Sequence, residues 1–183
     1  MYTKINGYQN LKYLQVVDNL LSKEECQFLI KFAEKQGLKE IDRGIAKYHR
    51  TEFDNDWLAN MLFERLKSKG LIGTMYNRKR ITGLNHHFRF SKYYPGGEFK
   101  IHKDGINSDR NGNRSVITLN IFLNEEFDGG ETDFFYYNQK TLRLSAKPKT
   151  GRAAFFDSQQ YHCGNKVTNG NKYLLRTDLM VSI

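Results

Sequence analysis

From Leu84 onward the apolar residues change period, from the three-and-four spacing of helices to alternation, and the rest of the chain reads as strands separated by turns. Each such strand must bury one face, so this half is confined to an antiparallel double sheet or a barrel-like jelly roll. In Leu84 to Tyr94, the positions Leu84, His86, Phe88, Phe90 and Tyr94 share one face, and His87, Arg89 and Ser91 the other. Val116 to Leu123 divides the same way. Ile117, Leu119, Ile121 and Leu123 make an aliphatic packing face, while Thr118, Asn120 and Phe122 make a mixed face suited to a pocket. In Lys172 to Met180, Lys172, Leu174 and Arg176 point one way and Tyr173, Leu175 and Thr177 the other. Pro95-Gly96-Gly97, Asp128-Gly129-Gly130 and Lys147 to Arg152 are turn signals. The polar stretch Gly105 to Arg114 reads as a mobile entrance loop or an ordinary surface connection.

Residues 1–83 read as mostly helical support for this β core, within a single domain of residues 1–183. Tyr13 to Asp18 is a short strand. Ser22-Lys23-Glu24-Glu25 forms a capping box, after which Cys26, Leu29, Ile30 and Ala33 make one buried stripe and Gly37 stops the helix. A second helix is expected from about Asp56 to Lys69 on Leu58, Met61, Leu62 and Leu66, with Trp57 as an anchor. His49 falls in the polar link between the helices and reads as a surface residue, as do His86 and His87.

The net charge of +9 is compatible with an acidic peptide, a nucleic acid or a merely soluble surface. Arg78-Lys79-Arg80 is too short for a polybasic motif, and there is no zinc-finger spacing or RNA-recognition signature. No apolar run is long enough to span a membrane and the first residues lack a secretory core, so the expectation is an intracellular, cytoplasmic protein. Cys26 and Cys163, far apart in sequence, read as reduced thiols.

Chemistry concentrates in Tyr94-Pro95-Gly96-Gly97-Glu98-Phe99-Lys100-Ile101-His102-Lys103-Asp104. An imidazole and a carboxylate at i and i+2 of an extended backbone point to the same side, so His102 and Asp104 converge as metal ligands. The only histidine further on is His162. Two histidines and a carboxylate leave open coordination positions, the arrangement associated with non-haem Fe(II) oxygenases.

The order His102-Lys103-Asp104, Leu123 to Thr132, His162, then Gly170-Asn171-Lys172 resembles the Fe(II)- and 2-oxoglutarate-dependent dioxygenases, and among them the prolyl 4-hydroxylase group. Val16 to Cys26 resembles that group's opening strand and helix, so the likeness covers most of the chain. It implies a fold that is mainly β with flanking α-helices, a double-stranded β-helix (jelly roll). It implies Fe(II) held by His102, Asp104 and His162, with 2-oxoglutarate as cosubstrate, O2 as oxidant and ascorbate as the candidate reductant. The reaction would release succinate and CO2 and hydroxylate a C–H bond, with a prolyl residue of a peptide or protein as the leading substrate. The basic residue for the far carboxylate of 2-oxoglutarate is Lys172 by its position in the family, with Arg176 as the rival on the same face. Tyr94 and Thr118 match positions that line the cosubstrate pocket, and Phe122 stands where some relatives carry a tyrosine.

Other readings keep part of this pattern. The same ligands could hold zinc in a hydrolase, which would need a general base and no buried cation facing the metal. The fold could also act on nucleic acid or a small molecule, or serve as a catalytically silent metal-binding module.

Overall fold

The computed structural model describes residues 13–183. Among these, β1 (Leu14–Val17) leads into α1 (Lys23–Gln36), then β2 (Lys39–Asp42), β3 (Ala46–Asp54) and α2 (Asp56–Ser68). There follow β4 (Met75–Tyr76), β5 (Lys79–Leu84), β6 (His87–Tyr93), β7 (Glu98–His102) and β8 (Arg114–Phe122). The chain continues with β9 (Phe127–Gly129), β10 (Thr132–Phe135), β11 (Leu142–Ala146), β12 (Ala153–Asp157), β13 (His162–Gly164), β14 (Val167–Gly170) and β15 (Lys172–Val181).

Both helices begin where the sequence places a cap. The Ser22 hydroxyl accepts from the Glu25 amide at 3.2 Å, and the Glu25 carboxylate accepts from the Ser22 amide at 2.8 Å, completing the capping box. Asn55 caps α2 by accepting from the Leu58 amide at 2.9 Å. Cys26, Leu29 and Ala33 of α1 and Leu58, Leu62 and Leu66 of α2 are buried against the sheet. Trp57 does not anchor its helix: it is 73% exposed, because the position faces away from that stripe.

The main sheet runs β1-β12-β8-β15-β6-β3-β7-β13-β10-β11 and curls into a nearly closed, barrel-like form, while β14 pairs with β9 in a separate ribbon. The expected class, mainly β with flanking helices in a jelly-roll fold, is therefore observed. The first half is less helical than the sequence suggested. It also supplies β2 to β5, and β3 pairs with both β6 and β7 inside the main sheet. His49 accordingly sits within a strand, not in a link.

The two faces of the sheet bury different cores. Ile117, Leu119, Ile121, Phe88, Phe90 and Leu175 pack outward against the helices. Phe122, Tyr93, Leu174, Phe134 and Phe156 pack inward with Tyr48 and Val167. Asn120 of β8 and Lys172 and Arg176 of β15 thus share the barrel interior with Phe122 and Leu174, while Ile117, Leu119, Ile121 and Leu175 face the helices, as the alternation requires. Gly97 makes the entry to β7 possible. A Cβ there would lie 2.9 Å from the Tyr94 carbonyl oxygen and 3.0 Å from that of Lys47.

Candidate active site

His102 ends β7, and His162 opens β13 directly opposite it in the antiparallel pair. Asp104 follows two residues after the strand, its amide bonded to the Ser158 carbonyl at 2.9 Å, which turns the carboxylate inward. One ligand atom from each of His102, Asp104 and His162 lies within 4.8 Å of the others, so the triad read from sequence converges. The ring contacts sharpen this. His102 Nδ1 is 2.7 Å from the Lys100 carbonyl and His162 Nδ1 2.9 Å from that of Gln160. A carbonyl only accepts, so each Nδ1 carries the proton and each Nε2 keeps its lone pair for a metal. Both Nε2 atoms face Asp104, at 3.8 Å each. Phe99 stacks on His102 with ring centroids 3.6 Å apart.

Charges in the site are arranged for metal binding. Burial, aided by His162, pushes the His102 imidazole down to about 4, and burial pushes His162 down as well, so both rings are neutral at pH 7. Burial alone would raise the Asp104 carboxyl. The Arg176 charge, His162 and the Thr118 hydroxyl outweigh it and hold the group below the usual carboxylate range. Arg176 Nη1 sits 2.6 Å from one Asp104 oxygen, and Thr118 donates to the other at 2.6 Å.

This arrangement bears on the roles expected of two residues. Arg176 lines the cleft with its Nη atoms engaged by Asp104 and, at 3.2 Å, by Asp178. Thr118 is on the expected inward face but bonded to Asp104, so it orients a ligand residue and does not line the cleft. Tyr94 is misplaced altogether. Its ring is 39% exposed, against His49 and under the Lys92 ammonium, whereas Tyr93, one residue earlier, lines the cleft. Alternation carried that information, since Tyr93 shares its face with Arg89 and Ser91.

Lys172 is the buried cation without a carboxylate. At 2% exposure its ammonium donates to the Gly130 carbonyl at 2.6 Å and, among the described residues, meets no acidic group within salt-bridge range. The Tyr93 and Phe122 rings flank it, 5.2 and 5.4 Å from Nζ. Burial pushes Lys172 down to about 8. Phe122, expected in place of a tyrosine, supplies an apolar wall there. Asn120 reaches the same cleft, and its Oδ1 is buried without a partner.

Sequence reading missed Arg50 and Arg89 as cleft residues. Arg50 lies on β3, whose mixed polar composition gave no strand signal. His86 and His87 stay outside the cleft, and His87 pairs with Asp54 across β3 and β6 at 2.7 Å.

Residues 88–177, which hold the whole triad and Lys172, match the family model described as the 2OG-Fe(II) oxygenase superfamily. That match and the relatives below support a 2OG-Fe(II) oxygenase. Within that superfamily the likeness is to prolyl 4-hydroxylases. A PKHD-type hydroxylase of Picosynechococcus is 31% identical over 117 residues, covering 63% of this chain and 49% of its own length. A putative prolyl 4-hydroxylase of Acanthamoeba polyphaga mimivirus is 24% identical, covering 94% of this chain and 75% of that protein. The chain thus spans about half the length of the first of these relatives. Among solved structures, the viral collagen prolyl hydroxylase of Paramecium bursaria Chlorella virus-1 in its 2OG complex superposes with a TM-score of 0.65. Identity is 23%, over 94% of this chain and 97% of that one. A Pseudomonas putida prolyl-4-hydroxylase gives a TM-score of 0.68 at 15% identity, over 93% of each chain. At these identities the structures attest the fold. Among the described residues, no helix is long and apolar enough to cross a membrane.

Proposed function

We propose that the chain is a 2-oxoglutarate-dependent dioxygenase that hydroxylates a prolyl residue of a peptide or protein, releasing succinate and CO2. The observation that carries this reading is the pairing of a His-Asp-His triad with a buried, carboxylate-free lysine in one cleft. A zinc hydrolase would have no use for such a lysine.

The residues fit the groups the family implies. His102 and His162 would hold Fe(II) through Nε2 and Asp104 through a carboxylate oxygen, a set with open positions suited to that metal. When bound, Fe(II) would couple the oxidative decarboxylation of 2-oxoglutarate by O2 to hydroxylation of a C–H bond, with ascorbate as a reductant that restores the ferrous state. The remaining work belongs to the protein. Lys172 would bind the far carboxylate of 2-oxoglutarate, and the anion would favour the charged ammonium that burial disfavours. Tyr93 and Phe122 exclude water around that pair, which strengthens it. Arg176 and Thr118 hold Asp104 in one orientation, and the carbonyls of Lys100 and Gln160 do the same for the rings.

The test is succinate release from 2-oxoglutarate by purified protein with Fe(II) and ascorbate under air, with and without proline-containing peptides, and with mass spectrometry of the peptides. Expected are iron-dependent succinate and one added oxygen atom on a prolyl residue. Iron-dependent succinate with oxygen added only to another residue type would overturn the prolyl assignment. No Fe(II) or 2-oxoglutarate binding would overturn the reaction class.

A further inference from the structure

Three guanidiniums share the inward face beside the triad. Arg89 on β6 stands directly opposite Arg176 on β15, and Arg50 on β3 registers with Ser91, two residues along β6 from Arg89. Like charges directly opposite one another in a sheet are destabilising, so this placement costs stability unless compensated. Compensation is incomplete. Arg176 takes the close oxygens of Asp104 and Asp178. Arg89 is left with Asp178 and Glu52 at 3.6 Å each, beyond hydrogen-bond reach, and its one hydrogen bond among the described residues is to Asn107 Oδ1 at 3.1 Å. Arg50 meets Glu52 at 3.3 Å and the Tyr48 hydroxyl, and its Nε is buried without a partner. Burial, with the Arg176 charge next to it, pushes the Arg89 guanidinium down.

The charge balance indicates what is missing. Arg50, Arg89 and Arg176 face Glu52, Asp104 and Asp178, which neutralises them only while Asp104 is theirs alone. Once Asp104 serves a divalent metal, the three cations share two carboxylates, a surplus of one positive charge. Arg50 and Arg89 are 22% and 19% exposed and line the cleft, so this surplus is open to a ligand.

We infer that Arg89 and Arg50 form a subsite for a single carboxylate on the prime substrate, placed beside the residue to be hydroxylated. This rests on the oxygenase reading above. A guanidinium fork matches a carboxylate in plane and charge, and a surplus of one charge suits a monoanion better than a polyanion. Arg89 is one strand, about 4.8 Å, from Arg176, and Arg50 lies one strand further. In an extended peptide rising about 3.3 Å per residue, that puts the carboxylate roughly one to three residues from the reacting one. An aspartate or glutamate side chain would supply it, or the C-terminal carboxylate of a short substrate.

The experiment uses fluorescein-labelled, proline-centred nonapeptides with one glutamate placed at each of three positions on either side, and glutamine counterparts. A second arm compares peptides ending shortly after the proline as free acid and as amide. Binding to the Fe(II)-loaded protein is read anaerobically by fluorescence anisotropy, and hydroxylation by mass spectrometry under air. At least one acid is expected to bind about tenfold more tightly than its amide, the effect of one charge-assisted hydrogen bond. The arm in which this happens identifies the source of the carboxylate. The preference should vanish in Arg89→Gln, fall in Arg50→Gln and reverse toward lysine-bearing peptides in Arg89→Glu. Because the ratio is internal to each variant, a general loss of affinity does not imitate it. Equal binding of every acid and amide pair by the wild type, or an acid preference unchanged in both glutamine variants, overturns the subsite. Peptide-independent succinate release by the wild type is scored separately. Its absence counts against the oxygenase reading and leaves the binding preference to decide the subsite.

Discussion

Lys172 and Arg176 stand on one face of one strand and line the same cleft, the first buried and the second partly exposed, yet they are in opposite electrostatic situations. Arg176 is paired with counterions: it touches Asp104 at 2.6 Å and Asp178 at 3.2 Å, and these carboxylates outweigh its burial and hold it charged, while its Nε stays buried without a partner. Lys172 has a carbonyl as its hydrogen-bond partner and only the more distant Glu131 charge to favour it, so burial prevails and pushes it down to about 8. Burying a cation with its counterion is a structural device, whereas burying one without leaves a site that gains by binding an anion. One end of the cleft therefore fixes the orientation of Asp104, and the other, at Lys172, is the end proposed for the cosubstrate.

The largest effect should come from cutting the pair that joins Arg176 to the triad. Asp104→Ala is expected to lower iron-dependent succinate release by roughly a thousandfold or more, since it removes a ligand and strands a buried guanidinium. Near-normal release would remove Asp104 from the metal site. Stability separates the two cations next. In the metal-free protein Arg176→Met should cost about 3 kcal/mol in urea unfolding, because Asp104 loses its charged partner. Lys172→Met should be neutral or stabilising by about 1 kcal/mol, because it replaces an uncompensated charge with an apolar chain of similar length. Equal losses would erase the contrast.

A pH profile sharpens it further. The folded value of Lys172, about 8, lies below its ordinary 10.5, so between these values the unfolded chain binds the proton and the folded one does not. Metal-free stability should therefore rise with pH across that window. The gain, on the order of 3 kcal/mol at most, is measured as wild type minus Lys172→Met to cancel other titrations. A flat difference would mean that the ammonium is better solvated than its surroundings indicate. The smallest effect is expected from Thr118→Val. Losing one hydrogen bond to Asp104 should weaken Fe(II) affinity about tenfold with stability changed by roughly 1 kcal/mol.

The parts legible in the sequence were those set by local geometry. The i, i+2 spacing of His102 and Asp104, the capping box at Ser22 and the alternating faces of β8 and β15 follow from neighbouring residues alone. β3 was hidden because a run of four polar residues, His49 to Glu52, interrupts the alternation that Ala46-Lys47-Tyr48 begins. The pairing of Arg176 with Asp104 was hidden for a different reason. It depends on how distant strands are brought together, and nothing near either residue announces the other. Tyr94 was placed by resemblance against the alternation of its own strand, and the alternation was right.

Lys172, not Arg176, is the residue proposed to bind the cosubstrate beside the triad. Anaerobic calorimetric titration of 2-oxoglutarate into the Fe(II)-loaded wild type, Lys172→Met and Arg176→Met tests this assignment most directly. Affinity is expected to fall about a hundredfold in Lys172→Met, the loss of a charge-assisted pair in a water-poor pocket, and by less than about tenfold in Arg176→Met. Wild-type affinity in Lys172→Met, or the larger loss in Arg176→Met, would contradict it.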